Sequence, residues 1–397
     1  MKVIIILVIF CCVAVLSSDI TYEQVQEKLT QLEDFLKDAA RERKHIIKSL
    51  LRLCKDGDLG KGSFALTFKA EFVNGEHTGK KVAIKFTPIE KKELAEKEYE
   101  IYTYLGAINN PIAESFGVPA IYYYNNCLCG SFKMMAMTLM QPKFNEKHDA
   151  HKLSFFDIIF IFREVTRVTK YLHFAGICHN DLKIENIMFD RHRLFIIDYN
   201  LADKMDSMDV RGGTPPYLSR GAHMWQKRSG KDDWESFLYA ACHSIGIKLG
   251  WFNETDPIAM YALKNNTERT LQIISKTAFE PELIDSIYRF AQYVFVDDEQ
   301  SDGYPNYDAY YKFVEKVIKV SFERYDFREP LLGSWLDINE VADAENELST
   351  NPPLPITLMQ KPVPRTEYPP VDPDFFLRKY HPSVSDISHQ LQRQNIF

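Results

Sequence analysis

Apolar residues at Val25, Leu29, Leu32, Leu36 and Ala39 recur at steps of four and three, and Ile46 and Leu50 extend the series past Arg43. This spacing predicts an amphipathic helical segment over residues 19–52. Its stripe has two uses, packing on the body of the protein or self-association through residues 25–50, and packing is the more ordinary. From residue 53 the period changes. LGKGSFALTFKAEF, the GEHTGK turn and KKVAIKFTP alternate apolar and polar positions as strands do. A charged helix is expected over 90–105, with further strands near 120–124 and 132–140. Long helical patterns dominate residues 153–320. A small strand-rich lobe (53–140) thus precedes a larger, mainly helical one (141–327), an α+β chain. Beyond it, STNPPLPITLMQKPVPRTEYPPVDPD holds too much proline for a helix interior or a central strand. Residues 328–397 are assigned to a proline-rich C-terminal tail, expected to be extended or disordered from Thr350 onward.

The first residues carry a different pattern. MKVIIILVIFCCVAVLSS has one early Lys, an apolar run over 3–16 and then small polar residues. That is the layout of a signal peptide over residues 1–18, cleaved near Ser17 or Ser18. The run is short for a membrane span, which needs about 20 apolar residues; an uncleaved signal anchor is the alternative. The expected location is therefore extracellular or the secretory-pathway lumen, with no stable span after cleavage. The ending LQRQNIF has no KDEL-like signal, so export is expected over retention. Asn253 (NET) and Asn265 (NNT) are glycosylation sequons usable only in a secreted chain.

Composition narrows the class. The 397 residues suffice for two lobes and tails. A net charge of -7, with no basic stripe, argues against a nucleic-acid partner. Cys11 and Cys12 would leave with the signal. Cys178 and Cys242 lie in apolar runs and are expected as inert core thiols. Cys127 and Cys129 lack the second pair that a zinc site needs.

Candidate chemistry concentrates in CHNDLKIENIMFDRHRLFIIDYN, residues 178–200. Asp181 and Asn186 occupy a polar loop between apolar runs, and Asp198 follows the strand-like LFII. A turn with Asx caps would explain one such pair. Other parts of a phosphoryl-transfer site lie upstream. Gly60 and Gly62 permit a tight hairpin whose amides can approach phosphate oxygens. Lys85, in VAIK, suits nucleotide phosphates and a helix carboxylate, for which Glu98 is the natural partner; alone it would be a surface lysine of an edge strand. Asp181 would then orient the attacking hydroxyl, Lys183 would offset charge on the phosphoryl group, and Asn186 and Asp198 would hold magnesium.

With these parts in this order, the chain resembles the eukaryotic protein kinase superfamily. GTPPYLSRGAH at 213–223, KDDWESFLYA at 231–240 and FAQYVFVDDEQSDGYPNYDAY at 290–310 resemble segments of the casein kinase 1 group and its vaccinia-related relatives. The resemblance spans residues 53–327 and implies a bilobal kinase-like fold. It also implies use of ATP and Mg2+, and transfer of the γ-phosphate to Ser or Thr of a protein substrate. Gly60, Gly62 and Ser63 would cover the phosphates and Met137 would guard the adenine pocket. Thr138, Met140 and Gln141 would belong to the adenine-pairing hinge, and Asp233 would brace the catalytic loop. The alternative function is a secreted pseudokinase that binds nucleotide or protein as a scaffold.

Departures from the family pattern carry expectations of their own. Asn180 replaces an Arg that binds an activation-loop phosphate, so activation through that pocket is not expected. Ala65 replaces the third loop glycine and should stiffen the hairpin tip. Pro216 replaces an Arg that reads primed substrates. Asn200 replaces the glycine of DFG and is expected to take its positive-φ turn at small cost.

Overall fold

A computed structural model describes residues 21–41, 45–47, 50–127, 130–140, 155–190, 193–207, 212–277, 281–295 and 303–324. The expected signal peptide, Cys129, Gln141, the stretch 296–302 and the proline-rich tail lie outside the described residues.

Helix α1 (Tyr22–Arg41) buries Val25, Leu29, Leu32, Leu36, Ala39 and Ala40, the stripe its spacing predicts. It stops before Ile46. His45–Ile47 form a short strand, β1, that pairs with β2 (Leu51–Lys61). Two consecutive β-branched residues favour an extended edge over another helical turn. The helical segment expected to reach residue 52 is thus corrected to end at Arg41.

The sheet continues through β3 (Leu66–Phe72) and β4 (Lys81–Pro88). A single turn (Ile89–Lys91) then leads into helix α2 (Lys92–Tyr104). A short helix α3 (Pro111–Ser115) and strands β5 (Ile121–Cys127) and β6 (Phe132–Thr138) complete this lobe. Six antiparallel strands lie in the order β1-β2-β3-β4-β6-β5.

Period-2 alternation gives the sheet two apolar faces. Leu66, Phe68, Phe72, Val82, Ile84, Phe86, Met134 and Ala136 pack with the stripe of α1. Ala83, Met135 and Met137 face the other way, into the main core. Lys85 falls between Ile84 and Phe86 and therefore belongs to the face opposite α1. The sheet already covers the stripe that self-association through residues 25–50 would need.

The second lobe begins with helix α4 (Phe155–Phe174). Two small hairpins follow, β7 (Ile177–Cys178) with β10 (Asp203–Lys204), and β8 (Ile187–Asp190) with β9 (Arg193–Ile196). They carry the polar loops 179–186 and 197–202 between them. Helices α5 (Arg220–His223), α6 (Gly230–Ser244), α7 (Pro257–Asn265), α8 (Thr267–Ser275), α9 (Pro281–Phe295) and α10 (Tyr307–Arg324) follow. Helix α6 runs through the core. Its Trp234 stacks on Phe290 of α9 with ring centroids 4.7 Å apart and donates Nε1–H to Thr169 of α4 at 2.9 Å. Cys178 and Cys242 are fully buried free thiols, and burial pushes both pKa values up, as inert core thiols require. Among the described residues no helix is long and apolar enough to cross a membrane.

Candidate active site

The site lies where the alternating face of the sheet meets the two hairpins. Lys85 of β4 donates from Nζ to Glu98 Oε2 of α2 and to Asp198 Oδ1 after β9, both at 2.7 Å. Three elements are thereby tied at one ammonium. Burial works against the charge on Lys85, yet the two carboxylates raise its pKa above the ordinary lysine value. Burial also opposes the charge on Asp198, but the adjacent Lys85 holds its pKa below the normal carboxylate value. Glu98 moves the other way, pushed up by burial and by the charge of Asp198. Lys97 to Asp203, at 3.3 Å, adds a second tie between α2 and the segment after Asp198.

A second polar cluster sits on the 179–186 loop. Asp181 accepts at Oδ1 from the backbone N–H and hydroxyl of Thr214, at 2.8 and 2.9 Å, and at Oδ2 from Lys183 at 2.6 Å. Lys183 also donates to Thr214 Oγ1 at 2.7 Å. Thr214 can come this close because Gly213 precedes it. Gly213 has φ of 118°, and a Cβ there would lie 2.5 Å from Leu218 and 3.0 Å from Asn180 O. Asn186 donates Nδ2 to Asp181 O at 2.9 Å, which leaves its Oδ1 as the end available to a cation.

Helix α6 holds this loop from below. Asp233, fully buried at its first turn, accepts from His179 N–H at 2.7 Å, Asn180 N–H at 2.8 Å and His173 Nε2 at 2.8 Å. Burial opposes its charge, yet the His173 hydrogen bond and the field of both histidines keep its pKa low. The helix N-terminus favours the same ionised state. Asp232 closes the capping box with Ser229 and also takes the Ser219 hydroxyl at 2.5 Å. Glu235 accepts from Arg220 N–H and Nε and from the Tyr239 hydroxyl. One acidic helix start thus fixes both the catalytic loop and the segment 219–220.

Residues 53–234 match the protein kinase domain family. The fold is that of a protein kinase domain. It is 30% identical over 183 residues to a probable serine/threonine-protein kinase of Dictyostelium discoideum, a match covering 41% of this chain and 28% of the relative. A probable casein kinase I homolog of Encephalitozoon cuniculi is 25% identical over 189 residues, covering 44% of this chain and 60% of the relative. A probable serine/threonine-protein kinase of fowlpox virus is 32% identical over 103 residues, 23% of this chain and 35% of the relative. The chain therefore spans less than two thirds of each of these relatives. The matched stretch ends inside α6, but the kinase domain's core continues, since Trp234, Phe290 and Tyr310 pack in one cluster.

The kinase domain brings Lys85, Glu98 and Asp198 into one cluster and Asp181, Lys183 and Asn186 into a second beside it. Gly60 sits in β2 with φ of 122°, a conformation that favours glycine, and Gly62 and Ser63 form the exposed tip between β2 and β3. Met137 and Met140 are buried. Thr138, expected in the adenine-pairing hinge, is tied down by its N–H and its side chain. Its N–H donates to Ala120 O at 3.0 Å, and its hydroxyl donates to Glu114 at 2.6 Å while accepting from Ala120 N–H. It is committed to the strand edge, because the loop before β5 crosses beside it.

Asn200 also differs from expectation. The left-handed residue of the segment is Asp198, with φ of 69° and ψ of 62°, whereas Asn200 lies in the single turn Tyr199–Leu201. Asn200 therefore does not meet the cost expected for a glycine conformation. Asn180 is left-handed too (φ 66°), and its Nδ2 donates to Leu201 O at 3.0 Å, turned toward the backbone.

Thr214, His179 and Lys264 are site residues that sequence reasoning missed. Thr214 stood in the noted GTPPY segment, but nothing in its spacing links it to Asp181. His179 donates Nε2–H to Ile197 O at 2.9 Å, the tautomer set by Asp181 N–H at its Nδ1. Its ring meets Tyr199, which meets Tyr102 of α2, each pair 5.1 Å apart, in a column joining the lobes. Lys264, fully buried, donates to Pro215 O at 3.0 Å and Leu218 O at 2.7 Å beside His223 Nε2, and burial lowers its pKa to about 7.

Magnesium fits this donor set. Asn186 Oδ1 and Asp198 supply two hard oxygens, and among the described residues no cluster of three or more His, Cys, Asp or Glu forms a complete cage. Mg2+ keeps several waters and relies on substrate phosphates for the rest of its shell.

Proposed function

We propose that the protein is an ATP- and Mg2+-dependent serine/threonine protein kinase of the casein kinase 1 type, acting in the secretory pathway or outside the cell. The observation that carries this is the polar cluster joining Asp181, Lys183 and Thr214 beside the Lys85–Glu98–Asp198 chain. Asp181 is held by three donors in one orientation, so a substrate hydroxyl approaching it meets a fixed acceptor for its proton. Lys183, 2.6 Å away, offsets the negative charge that gathers on the transferred phosphoryl group. Lys85 is placed to hold nucleotide phosphates while Glu98 fixes its direction. A magnesium ion held by Asn186 and Asp198 would neutralise phosphate charge when bound.

The casein kinase 1 assignment is supported by the DDWES start of α6, whose three acids hold the 179–180 loop and the segment 219–220, and by the Encephalitozoon relative. The secretory location rests on the apolar run 3–16. Incubating the full chain, secreted from its own leader, with labelled ATP, Mg2+ and casein tests the activity. Label on casein, lost with Asp181→Asn, supports the proposal. Nucleotide binding without any transfer would leave the scaffold role in its place.

A further inference from the structure

Helix α1 lies outside the stretch that matches the kinase family, and it reaches the glycine-rich tip. Gln26 donates from Nε2 to Ser63 O at 2.7 Å and to Gly62 O at 3.3 Å. The tip is a tight turn, closed by Gly62 N–H to Ala65 O at 2.8 Å. The helix that presents Gln26 is anchored on both sides of it. Lys28 donates to both oxygens of Glu90, at 2.7 and 3.0 Å, and Lys61 reaches Thr30 at 3.0 Å and Glu33 at 3.3 Å. Tyr22 meets Phe64 edge-on at 6.2 Å. Below these contacts the apolar stripe is buried in the sheet.

The direction of those two carbonyls matters. In a trans peptide the C=O and the following N–H point to opposite sides of the chain, and the described residues have no cis bond. Drawing Gly62 O and Ser63 O toward α1 turns the N–H groups of Ser63 and Phe64 away from it. Helix α1 covers the face opposite Lys85, so these N–H groups are aimed toward the side on which Lys85 stands. Among the described residues neither donates a hydrogen bond within the protein. Two such N–H groups at a loop tip suit phosphate oxygens.

We propose that Gln26 is a positioning residue for the nucleotide's phosphate tail: by holding two carbonyls of the glycine-rich tip from behind, it presets two amides for the triphosphate. This rests on the kinase function proposed above. Because the tip is exposed, water replaces Gln26 at both carbonyls when it is removed. The fold then loses little, while the amides lose their preset direction.

The test uses the full secreted chain, with Gln26→Ala and the isosteric Gln26→Glu, which presents carboxylate oxygens to the carbonyls. Calorimetric titration with Mg-ATP and with adenosine is set beside KM for ATP, kcat on casein and the nucleotide-free unfolding midpoint. For Gln26→Ala, ATP dissociation and KM should rise about threefold to tenfold, the weight of a modest hydrogen bond. Gln26→Glu should weaken ATP further. Adenosine affinity, kcat and the unfolding midpoint should stay close to the parent's, because none of them depends on amides aimed at phosphate. Parent-like ATP affinity in both variants overturns the inference and leaves the kinase function standing. Equal weakening of ATP and adenosine, or a large drop in midpoint, makes Gln26 structural and also overturns it. A parent that binds neither ligand removes the kinase function and this inference together.

Discussion

Replacing Asp233 by Asn tests whether helix α6 holds the catalytic loop in place. The buried carboxylate accepts two donors at Oδ2, from His179 N–H and His173, and one at Oδ1, from Asn180 N–H. An Asn side chain can keep an oxygen toward the two donors only by turning its NH2 toward Asn180 N–H. One hydrogen bond to a charged acceptor is then lost, two lose their charge assistance, and a buried N–H faces another. A hydrogen bond to a charged group is worth about 1.5–3 kcal/mol, and a stranded buried donor adds a similar cost. The variant should therefore unfold about 3–6 kcal/mol more easily in urea, followed by tryptophan fluorescence. Acid adds a sign. The folded pKa of Asp233 lies below its ordinary 3.8, so its contribution is fully present above that value and disappears as pH falls through the folded pKa. Parent and variant should converge in stability at the acid end. Since Asn180 and Asp181 share the loop, kcat should fall by about tenfold to a hundredfold. Mg-ATP affinity should change little, because Lys85, Glu98 and Asp198 do not touch Asp233. An unchanged urea midpoint with parent-like kcat would refute the brace.

Asp181→Asn should cut turnover by about a hundredfold or more with nearly unchanged ATP affinity. Asp198→Asn, which weakens both the Lys85 tie and the metal, should reduce turnover and Mg-dependent ATP binding together, read by single-turnover assays and calorimetry. Asn200→Gly should leave activity at the parent level and lower stability by about 0.5–1 kcal/mol, because Asn200 already lies in an ordinary turn; a large gain of activity would contradict that. Lys264 has a folded pKa near 7 against 10.5 when free, so between those values the unfolded chain binds the extra proton and stability rises with pH. Between pH 7 and 8.5 the parent should gain about 1–2 kcal/mol relative to Lys264→Met, a difference in which the thiols common to both chains cancel. Equal slopes in the two denaturation series would rule out this role.

Much of the kinase domain is legible in one dimension because its signals are local. The stripe of α1 follows from a 3.6-residue period, and the two faces of β4 follow from a period of two, which alone places Lys85 opposite Ile84 and Phe86. The D-x-K-x-x-N spacing puts Asp181, Lys183 and Asn186 on one loop before any tertiary contact is known. What the sequence could not determine depends on meetings across long separations. Thr214 joins Asp181 only because Gly213 lets the chain pass Asn180 and Leu218 without a Cβ. Thr138 is tied at its N–H and hydroxyl because Ala120, before β5, and Glu114 meet it across the fold. The left-handed turn falls on Asp198 and spares Asn200, since Lys85 and the Tyr102–Tyr199–His179 column fix that segment from outside. Helix α1 ends at Arg41 and lies against the sheet, where its stripe and the sheet's outer face remove each other from water. A hydrophobic period identifies a face to be covered, and only the folded chain decides what covers it.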